Sequence, residues 1–502
     1  MIILVAVAGL AAGVSTTYRW ATGAGFIDAS ARVYEPRVVQ AGNYTRSLVA
    51  PTRNSGRSEV GYGEVVINNQ DGALDGLKDV AFDSRDILIT YQDGTVILRG
   101  ACGGFELRRD QVVFRVRDRQ AVVANRLLVE ENYGGTNSLP AGLDGTANDI
   151  KGQTKPRAYG KVRVAEVVTV NTSREIHQLS VRGITSVDAV QDGGAAITAG
   201  TAYATLADVQ VTAPSAGTYR AYVGSSTEGA YIRTGSSPVR ILTADMSEGA
   251  TTADRTVAQI MTRILQNAGL SAGEILGASA VDAVAGWVAG YFSGAGESVT
   301  VGQAMDDLAA SIHGYWIGGR DGSIRLGVLR APTGTPVLTI ESWMVLNDGT
   351  AIERVVNDDE GLPYWRVSVQ YQRVWRTQSR DQLAGVARAE QERLGLDYRT
   401  TATHEDSTIR TTYPLSKELV ITTLLDSETD AIALREALWP IYSVVRDTFK
   451  VMIPTSYAAA VDLGDVVQLT VPRFGLAAGK LFRVTGIAED LQRNRSELTL
   501  WG

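Results

Sequence analysis

The stretch ILITYQDGTVILRG, residues 87–100, decides the fold class of this chain. Two runs of apolar and β-branched residues flank Asp93-Gly94, a pair that favours a hairpin because both central residues of a primed turn adopt positive φ. The stretch YWIGGRDGSIRLGVL, residues 315–329, repeats this arrangement around Asp321-Gly322. We therefore expect a mainly β protein built from strands joined by tight turns.

The composition is that of a multidomain globular protein. The chain has 502 residues, of which 44% are hydrophobic and 21% charged, and this length exceeds what one hydrophobic core usually supports. The 52 glycines, about a tenth of the chain, suit many short strands. The net charge of −7 disfavours sequence-independent binding of nucleic acid, which needs an excess of Lys and Arg.

The N-terminal run MIILVAVAGLAAG shares its hydrophobicity with signal peptides. The first basic residue is Arg19, however, so the positive segment of a signal peptide is missing, and the run is too short to span a membrane. From Val14 to Trp20 the residues alternate with the period of a strand. We expect a hairpin that turns at residues 11–13, and no membrane anchor.

Changes of pattern along the chain divide it into six segments. The expected limits are 1–128 for a first β domain, 129–159 for a long loop rich in Gly and Asn, 160–245 for a small β domain, 246–335 for an α/β domain, 336–378 with 440–502 for a discontinuous second β domain, and 379–439 for a helical insertion. The C-terminal ELTLWG is expected to pair with the strand predicted at Trp365–Trp375, although the insertion separates the two in sequence.

Capping residues and apolar periodicity predict four helices. Their expected limits are Asp254 as N-cap to Gly269, the capping box Thr300–Gln303 to Gly314, a start at the capping box Ser379–Gln382, and Ser427–Trp439.

The candidate chemical residues are scattered, and no catalytic residue, cofactor-binding residue, metal ligand or bound cofactor is predicted. His177, His313 and His404 match no zinc-ligand spacing, and His313 is placed near a helix C-terminus that would favour a cation. Cys102 is the only cysteine and is expected to be a small buried residue. The chain is therefore expected not to be an enzyme.

Two short motifs match catalytic or nucleotide-binding patterns only in part. GLSAG at 269–273 matches the nucleophile elbow, but Ser271 follows a predicted helix, whereas the elbow needs a strand before the serine. GLAAGKL, ending near Lys480, misses the spacing of a phosphate-binding loop by one residue and lies between predicted strands.

Charged clusters leave a few open alternatives. Asn69, Asp71 and Asp75 could surround a calcium ion, although a solvated turn is favoured because such side chains bond to their own backbone. The pairs Asp306-Asp307 and Asp358-Asp359 are adjacent, so their carboxylates point apart and suit a glycosidase poorly. Three alternating arginines suggest an interface or a solvated face: Arg115, Arg117 and Arg119.

Several stretches, in order from about residue 18 to Trp501, resemble the central tail-tip or baseplate hub proteins of long-tailed, siphophage-type bacteriophages. The resemblance lies in their order and spacing together. The stretches are YRWATGAGFID with YEPRVVQAGNYTRSL, SEVGYGEVVINNQDGALDGL, GQTKPRAYGKV, GAYIRTGSSPVRILTAD, TVGQAMDDLAASIHGYWIGGRDGSIRLG, and LGDVVQLTVPRFGLAAGKLFRVTGIAEDLQRNRSELTLWG.

This resemblance implies a homotrimeric structural protein of the virion, assembled in the host cytoplasm. The two larger β domains would be tube-type barrels that close the distal end of the tail tube and adapt its six-fold symmetry to a three-fold tip. The implied partners are distal tail and tail-tube proteins, the tape-measure protein, and tail fibres or a spike, with DNA only in transit through the lumen. No appended lysozyme or peptidase module is recognised, so a partner would perforate the envelope.

Two other classes of function stay open at the level of sequence. A receptor- or carbohydrate-binding tail protein could use the loop at 129–159. A secreted glycosidase would need paired carboxylates, and the chain offers only the adjacent ones described above.

Overall fold

The computed structural model describes residues 2–48, 56–57, 59–60, 63–137, 142–346, 352–355 and 362–502. The expected fold class is confirmed: the chain is a mainly β, multidomain protein. Its described residues form two eight-stranded sheets, five smaller sheets and several helices. None of the helices in these ranges is long and apolar enough to cross a membrane.

The N-terminal region forms the first large sheet, whose strand order is β10-β1-β11-β12-β13-β9-β5, with β2 on the free side of β1. Its core is aromatic: the Phe114 ring lies 5.0 Å from Phe82 and 5.7 Å from Trp20. The elements are β1 (Ile3–Ala11), β2 (Val14–Ala21), β3 (Phe26–Ile27), β4 (Val33–Tyr34), β5 (Val38–Gln40), β6 (Asn43–Ser47), β7 (Gly56–Arg57), β8 (Glu59–Val60), β9 (Gly63–Asn68), β10 (Val80–Ala81), β11 (Asp86–Tyr91), β12 (Val96–Leu107), β13 (Gln111–Arg117) and α1 (Arg119–Ala124).

The N-terminal hairpin forms where the sequence predicts it. Ala11 pairs with Val14, and the two residues between them, Ala12 and Gly13, have φ of 48° and 81°. Positive φ at both positions matches the right-handed twist of the strands on either side.

The Asp-Gly hairpins form as well, but the prediction of primed turns was wrong. Gly94 has φ of 87° and donates to the Tyr91 carbonyl at 3.0 Å, whereas Asp93 keeps a negative φ. Gly322 has φ of 81° and donates in the same way to the Gly319 carbonyl. Each loop is therefore a turn followed by one left-handed glycine, which leaves the aspartate free to bond to the backbone two residues later.

The next region holds two five-stranded sheets, ordered β18-β17-β22-β14-β24 and β15-β16-β21-β20-β19, in which β24 is the later strand Gly290–Ser293. The predicted long loop packs against them: Tyr133 is buried and its hydroxyl donates to Gln178 Oε1 at 2.6 Å. Residues 138–141 of that loop lie outside the described residues. The elements are β14 (Arg157–Glu166), β15 (Val168–Asn171), β16 (Ile176–Ser180), β17 (Ser186–Asp192), β18 (Ala195–Ala196), β19 (Thr198–Ala199), α2 (Leu206–Val211), β20 (Thr218–Tyr222), β21 (Ala230–Thr234) and β22 (Leu242–Ser247).

The helices of the following region begin at caps. The second predicted helix has its capping box, because Thr300 and Gln303 exchange both cap bonds. The first begins two residues later than predicted: Thr256, not Asp254, accepts the N-cap bond, because Asp254 lies in a 3-10 turn. The elements are α3 (Val257–Asn267), β23 (Ile275–Leu276), α4 (Ala278–Ala285), β24 (Gly290–Ser293), α5 (Val301–Ala310), β25 (Gly314–Gly318) and β26 (Ile324–Val328).

The C-terminal region holds the second large sheet, ordered β27-β34-β35-β36-β33-β28. Strand β6 of the N-terminal region adds to β35, and β8 pairs with β6. The elements are β27 (Leu338–Glu341), β28 (Ile352–Val355), β29 (Arg366–Tyr371), α6 (Gln391–Leu394), β30 (Arg399–Thr400), β31 (His404–Glu405), α7 (Ser407–Thr412), β32 (Glu418–Thr422), α8 (Glu428–Tyr442), β33 (Thr448–Ile453), α9 (Thr455–Ala458), β34 (Val466–Thr470), β35 (Lys480–Asp490) and β36 (Arg495–Trp501).

Two predictions for this region were wrong. The C-terminal strand β36 pairs with β33 and β35, whereas β29 pairs with β30, β31 and β32. Val369 of β29 belongs to the hydrophobic core that also buries Leu434 and Leu438 of α8, and this shared burial accounts for the position of β29.

The helix expected to begin at Ser379 does not form there. The Ser379 N–H donates to the Gln382 side chain in a turn, and the next helical segments begin at 385 and 391. The helix capped by Ser427 forms as predicted.

The two large sheets share one strand order. In the first, β1, β5 and β9 come before the meander β11-β12-β13, and the spatial order is β1-β11-β12-β13-β9-β5. In the second, β27, β28 and β33 come before the meander β34-β35-β36, and the spatial order is β27-β34-β35-β36-β33-β28. They differ at one edge, since β1 is antiparallel to β11 but β27 is parallel to β34. The chain thus contains the same six-strand arrangement twice.

Replacing Gly322 by Val should lower the free energy of unfolding by about 1–3 kcal/mol, the range for a strained backbone. The new Cβ would need φ of 81° and would lie 3.1 Å from Arg99 Cδ. Denaturant unfolding measures the loss. Gly76→Val is the control, because Gly76 has open space and no positive φ. Equal stability of the two variants would contradict the prediction.

Candidate functional site: a buried ionic junction

Arg320 lies at the tip of the β25–β26 hairpin and is buried between the two large sheets. Its Nη1 donates to both carboxylate oxygens of Glu489 on β35, at 2.9 and 3.0 Å. The same nitrogen donates to the Ile97 carbonyl of β12 at 3.2 Å, and the Arg99 N–H donates to the Arg320 carbonyl at 2.7 Å. One side chain therefore connects the hairpin to both large sheets.

A second buried ion pair lies beside the first. Arg46 of β6 donates from Nη2 to Asp462 Oδ1 at 2.7 Å, and from Nη1 to the Gly318 carbonyl at 3.2 Å. The backbone N–H of Arg320 donates to the other oxygen, Asp462 Oδ2, at 3.1 Å. Burial raises the pKa of Asp462, but the charges of Arg46 and Arg320 outweigh it, and the net pKa is lowered. Asp462 is therefore ionised at neutral pH.

The charges of the junction balance. Two buried guanidinium groups, Arg46 and Arg320, face two buried carboxylates, Asp462 and Glu489. The partly exposed Arg325 adds a contact to Asp462 Oδ2 at 3.4 Å. Because an uncompensated buried charge costs several kcal/mol, the pairs hold the hairpin and both sheets in one relative position.

Tight packing beside Glu489 completes the junction. Tyr44 of β6 is buried, and its hydroxyl donates to the Ala41 carbonyl at 2.6 Å. Burial and the nearby Glu489 raise the pKa of Tyr44 well above 10.0. A Cβ at Gly63 would lie 2.0 Å from the Tyr44 ring, so only glycine fits where β9 passes this ring.

The three histidines lie apart from the junction and from one another. Burial lowers the pKa of His177 to about 4 and, with the Arg330 charge, that of His313 to about 3. The prediction of a cationic His313 was therefore wrong: the ring is neutral, and its Nε2 lies 2.8 Å from the Tyr442 hydroxyl. His404 is partly exposed and stacks on Trp439, with ring centroids 4.1 Å apart.

The possible calcium ligands contact protein groups. Arg37 donates to both oxygens of Asp71, at 2.9 and 2.8 Å, and lowers the pKa of that carboxyl to about 2. Asn69 Nδ2 donates to Asp75 Oδ1 at 2.9 Å, and the Leu74 N–H donates to Asn69 Oδ1. Asn69 thus bonds within its own turn as expected, but its side chain is buried, whereas a solvated turn was expected.

The other singled-out residues have structural partners. Ser271 forms a capping box with Glu274 after α3, and Lys480 Nζ donates to Asp447 Oδ2 at 3.1 Å. Asp306 accepts from Trp316 Nε1 at 2.9 Å, whereas Asp358-Asp359 lie outside the described residues. Cys102 is buried, and burial raises the pKa of its thiol.

The predicted arginine row is broken in the structure. Arg115 and Arg117 lie on β13, while Arg119 opens α1 and pairs with Glu274 at 2.5 Å. Arg115 is exposed and lies 3.4 Å from Glu64 on the neighbouring strand. The three side chains therefore do not form one continuous charged face.

The four charged residues of the junction were missed at the level of sequence. Arg320 precedes Asp321-Gly322, so its place in a turn is readable, but nothing local indicates that it is buried. The partners Arg46 and Asp462 are 416 residues apart, and Arg320 and Glu489 are 169 apart. No spacing rule links residues at such separations.

Comparisons with known proteins give structural matches only. No family model matches the chain, and no curated protein matches its sequence. A tail protein from Neisseria meningitidis MC58 is 10% identical, with a TM-score of 0.40 over 99% of this chain and 96% of that one. The 43 kDa tail protein of prophage MuSo2 from Shewanella oneidensis is 9% identical, with a TM-score of 0.43 over 100% and 98%.

A chain in the virion of a native gene transfer agent particle is also similar. It is 14% identical, with a TM-score of 0.45 over 70% of this chain and 84% of that one.

Arg320→Ala should lower the free energy of unfolding by about 3–5 kcal/mol, because it leaves Glu489 buried without its cation. The control is Arg354→Ala, which breaks the exposed pair with Asp447, 2.8 Å long, and should cost at most about 1 kcal/mol. Denaturant unfolding of both variants checks this. Similar losses would show that the junction does not depend on Arg320.

The free energy of unfolding should decrease as the pH is lowered below about 6.5, because two histidines are buried in the neutral form. Below the ordinary pKa of 6.5 these histidines are protonated in the unfolded chain, whereas His177 and His313 stay neutral in the folded protein. Each histidine then costs up to about 1.4 kcal/mol per pH unit down to its folded pKa. A variant with both changed to Gln should lose less stability between pH 6.5 and 5 than the wild-type protein does. A double variant with the wild-type slope would contradict this assignment.

Proposed function

We propose that the chain is a non-enzymatic structural protein of a bacteriophage tail. The observation that carries this proposal is the six-strand arrangement present twice in one chain. In a tube whose wall is built from repeated β domains, the two large sheets of one chain can occupy neighbouring positions in the wall. The sequence resemblance to tail-tip hub proteins, which runs in order along most of the chain, agrees with this reading of the duplication.

The finer proposal is a homotrimeric hub at the distal end of the tail tube. Two sheets per chain and three chains make six wall positions, so a three-fold ring presents a pseudo-six-fold face. Such a ring can meet a hexameric tube on one side and a trimeric tip on the other. The duplicated arrangement thus provides the symmetry adaptation that a hub needs.

A wall subunit of this kind needs its two sheets fixed relative to each other. Strand β6 leaves the N-terminal region and pairs with β35 of the second sheet through five residue pairs, from Asn43 with Asp490 to Ser47 with Gly486. The ionic junction of Arg46, Asp462, Arg320 and Glu489 lies at the same place. Backbone bonds and buried charges together support a rigid two-sheet body.

Exposed apolar side chains near the large sheets supply surfaces for neighbouring subunits. Trp343 follows β27 and is 72% exposed, and Phe474, between β34 and β35, is 53% exposed. Val14, at the start of edge strand β2, is 64% exposed. Edge strands with exposed apolar residues are favoured sites of association.

In this proposal the protein has a structural role and catalyses no reaction. The two large sheets continue the tail tube, next to distal tail and tube proteins. The smaller sheets and helices lie outside and hold fibres or a spike, while tape-measure protein and DNA pass through the lumen. The protein would be found in the virion after assembly in the host cytoplasm.

Trp343→Ser should reduce incorporation into tails at least tenfold while leaving the melting temperature of the purified protein within a few degrees. The reason is that an exposed interface residue contributes to association more than to folding. Leu415→Ser is the control, because Leu415 is 74% exposed but lies in the helical insertion. Quantitative mass spectrometry of purified particles measures incorporation. Equal incorporation of the two variants would contradict a Trp343 interface.

Cryo-EM of tail tips tests the hub itself. We expect three copies around the axis, each placing both of its large sheets in one ring. Six copies, or one copy on the axis, would refute the hub even if the protein lies in the tail. Deletion of residues 462–502 should abolish incorporation, because it removes Asp462, Glu489 and the meander β34-β35-β36.

A further inference from the structure

Strands β12 and β35 occupy the same place in the two large sheets, and their pairing agrees in detail. Each strand pairs with the preceding strand of its meander only in its N-terminal part, up to Ala101 in β12 and up to Arg483 in β35. Each then has a bulge against the following strand, which ends at Gly104 in β12 and at Gly486 in β35. The spacing from the last paired residue to the bulge is the same, so the two strands correspond residue by residue.

Beyond its bulge, β35 has a strand on both sides. One side pairs with β36, and the other side pairs with β6 of the N-terminal region. Strand β6 is antiparallel, with Ser47 opposite Gly486 and Asn43 opposite Asp490. The Leu48 N–H extends this ladder by donating to the Thr485 carbonyl at 2.7 Å. The second sheet thus receives a strand from the first region at this edge.

The corresponding edge of β12 carries no strand among the described residues. Residues Gly104–Leu107 pair with β13 on one side, whereas β11 pairs only with the part of β12 before the bulge. The Arg108 N–H donates to the Gln111 carbonyl at 2.8 Å, so these residues form a hydrogen-bonded pair. Because such pairs alternate along an antiparallel ladder, the backbone N–H and C=O groups of Phe105 and Leu107 point to the open edge.

This open edge is accessible. Phe105 and Leu107 are partly exposed, and Glu106 is exposed. The segment GGFEL, residues 103–107, contains neither proline nor lysine, two residues that commonly protect sheet edges from pairing. Unpaired backbone groups in a row form a template for another strand. Strand β12 therefore presents a site for strand addition that has the same geometry as the site filled by β6.

We propose that a strand from a second copy of this chain pairs with the open edge of β12, antiparallel to it and opposite residues 104–108. This inference rests on the ring proposed above, in which first and second large sheets alternate. Within one chain, the first region gives β6 to the second sheet. Across the boundary between chains, the C-terminal region of one copy gives a strand to the first sheet of the next copy. Each copy then donates one strand and accepts one, and a ring of such contacts closes.

Hydrogen exchange measured by mass spectrometry tests the edge in the full-length protein, diluted until it is monomeric, and in purified tails. The amides of Phe105 and Leu107 should exchange about tenfold more slowly in tails, because pairing protects them. The amides of Ile487 and Glu489 are the matched control, since β6 already covers them and both samples should protect them equally.

Two results of this measurement have different meanings. Equal exchange of Phe105 and Leu107 in the monomer and in tails would overturn the strand addition while leaving the tail function intact. Absence of the chain from purified tails would refute the proposed function itself, and the strand addition with it.

A pair of variants separates the backbone group from the side chain. Leu107→Pro removes an N–H that points to the open edge, where proline can be accommodated, and Leu107→Ala loses the same side chain but keeps the N–H. The melting temperatures of the two variants should differ by only a few degrees, whereas Leu107→Pro should be incorporated into tails about tenfold less. Equal incorporation would overturn the proposal. If the proline variant does not fold, the hydrogen exchange of the wild-type protein decides.

Photo-crosslinking in purified tails identifies the strand that occupies the edge. A benzophenone-bearing residue in place of the exposed Glu106 should give an adduct of two copies of this chain, joined through the C-terminal region of the second copy. An adduct with a different tail protein would overturn the proposal, and so would an adduct with the first large sheet of the second copy.

Discussion

Charge balance in a dry interior is the constraint on which the arrangement of this protein depends. Arg46 and Arg320 cannot be neutralised by losing a proton, and each is paired with a carboxylate where it is buried. Asp462 and Glu489 meet them only when the hairpin tip, strand β6 and the second large sheet occupy one relative position. The junction thus determines the relative position of separate parts of the chain more than the stability of each part.

The relative position of the two large sheets matters because they share one strand order. A chain that carries one arrangement twice can act as two neighbours in a ring, provided that the copies keep a fixed angle. Strand β6 supplies backbone hydrogen bonds across the boundary, and the ion pairs supply directional contacts beside it. The smaller sheets and the helices join this body through a separate hydrophobic core that includes Val369 and Leu434.

Arg157 shows the opposite situation within the same molecule. At the junction, every buried guanidinium has a carboxylate partner, whereas Arg157 has a buried nitrogen without one among the described residues. The two kinds of arginine are indistinguishable in sequence. Arg233 is also buried, and among the described residues it donates to the Val209 carbonyl without a carboxylate partner.

The sequence by itself determined the mainly β class, the hairpins at Asp93-Gly94 and Asp321-Gly322, and the helices capped by Thr300 and Ser427. Each of these depends on residues a few positions apart, so propensity and local hydrogen bonds suffice. Only the tertiary structure decided that β29 pairs inside the insertion, that His313 is buried and neutral, and that Arg46 meets Asp462 from 416 residues away. Burial and long-range pairing depend on how the sheets pack, and no local pattern carries that information.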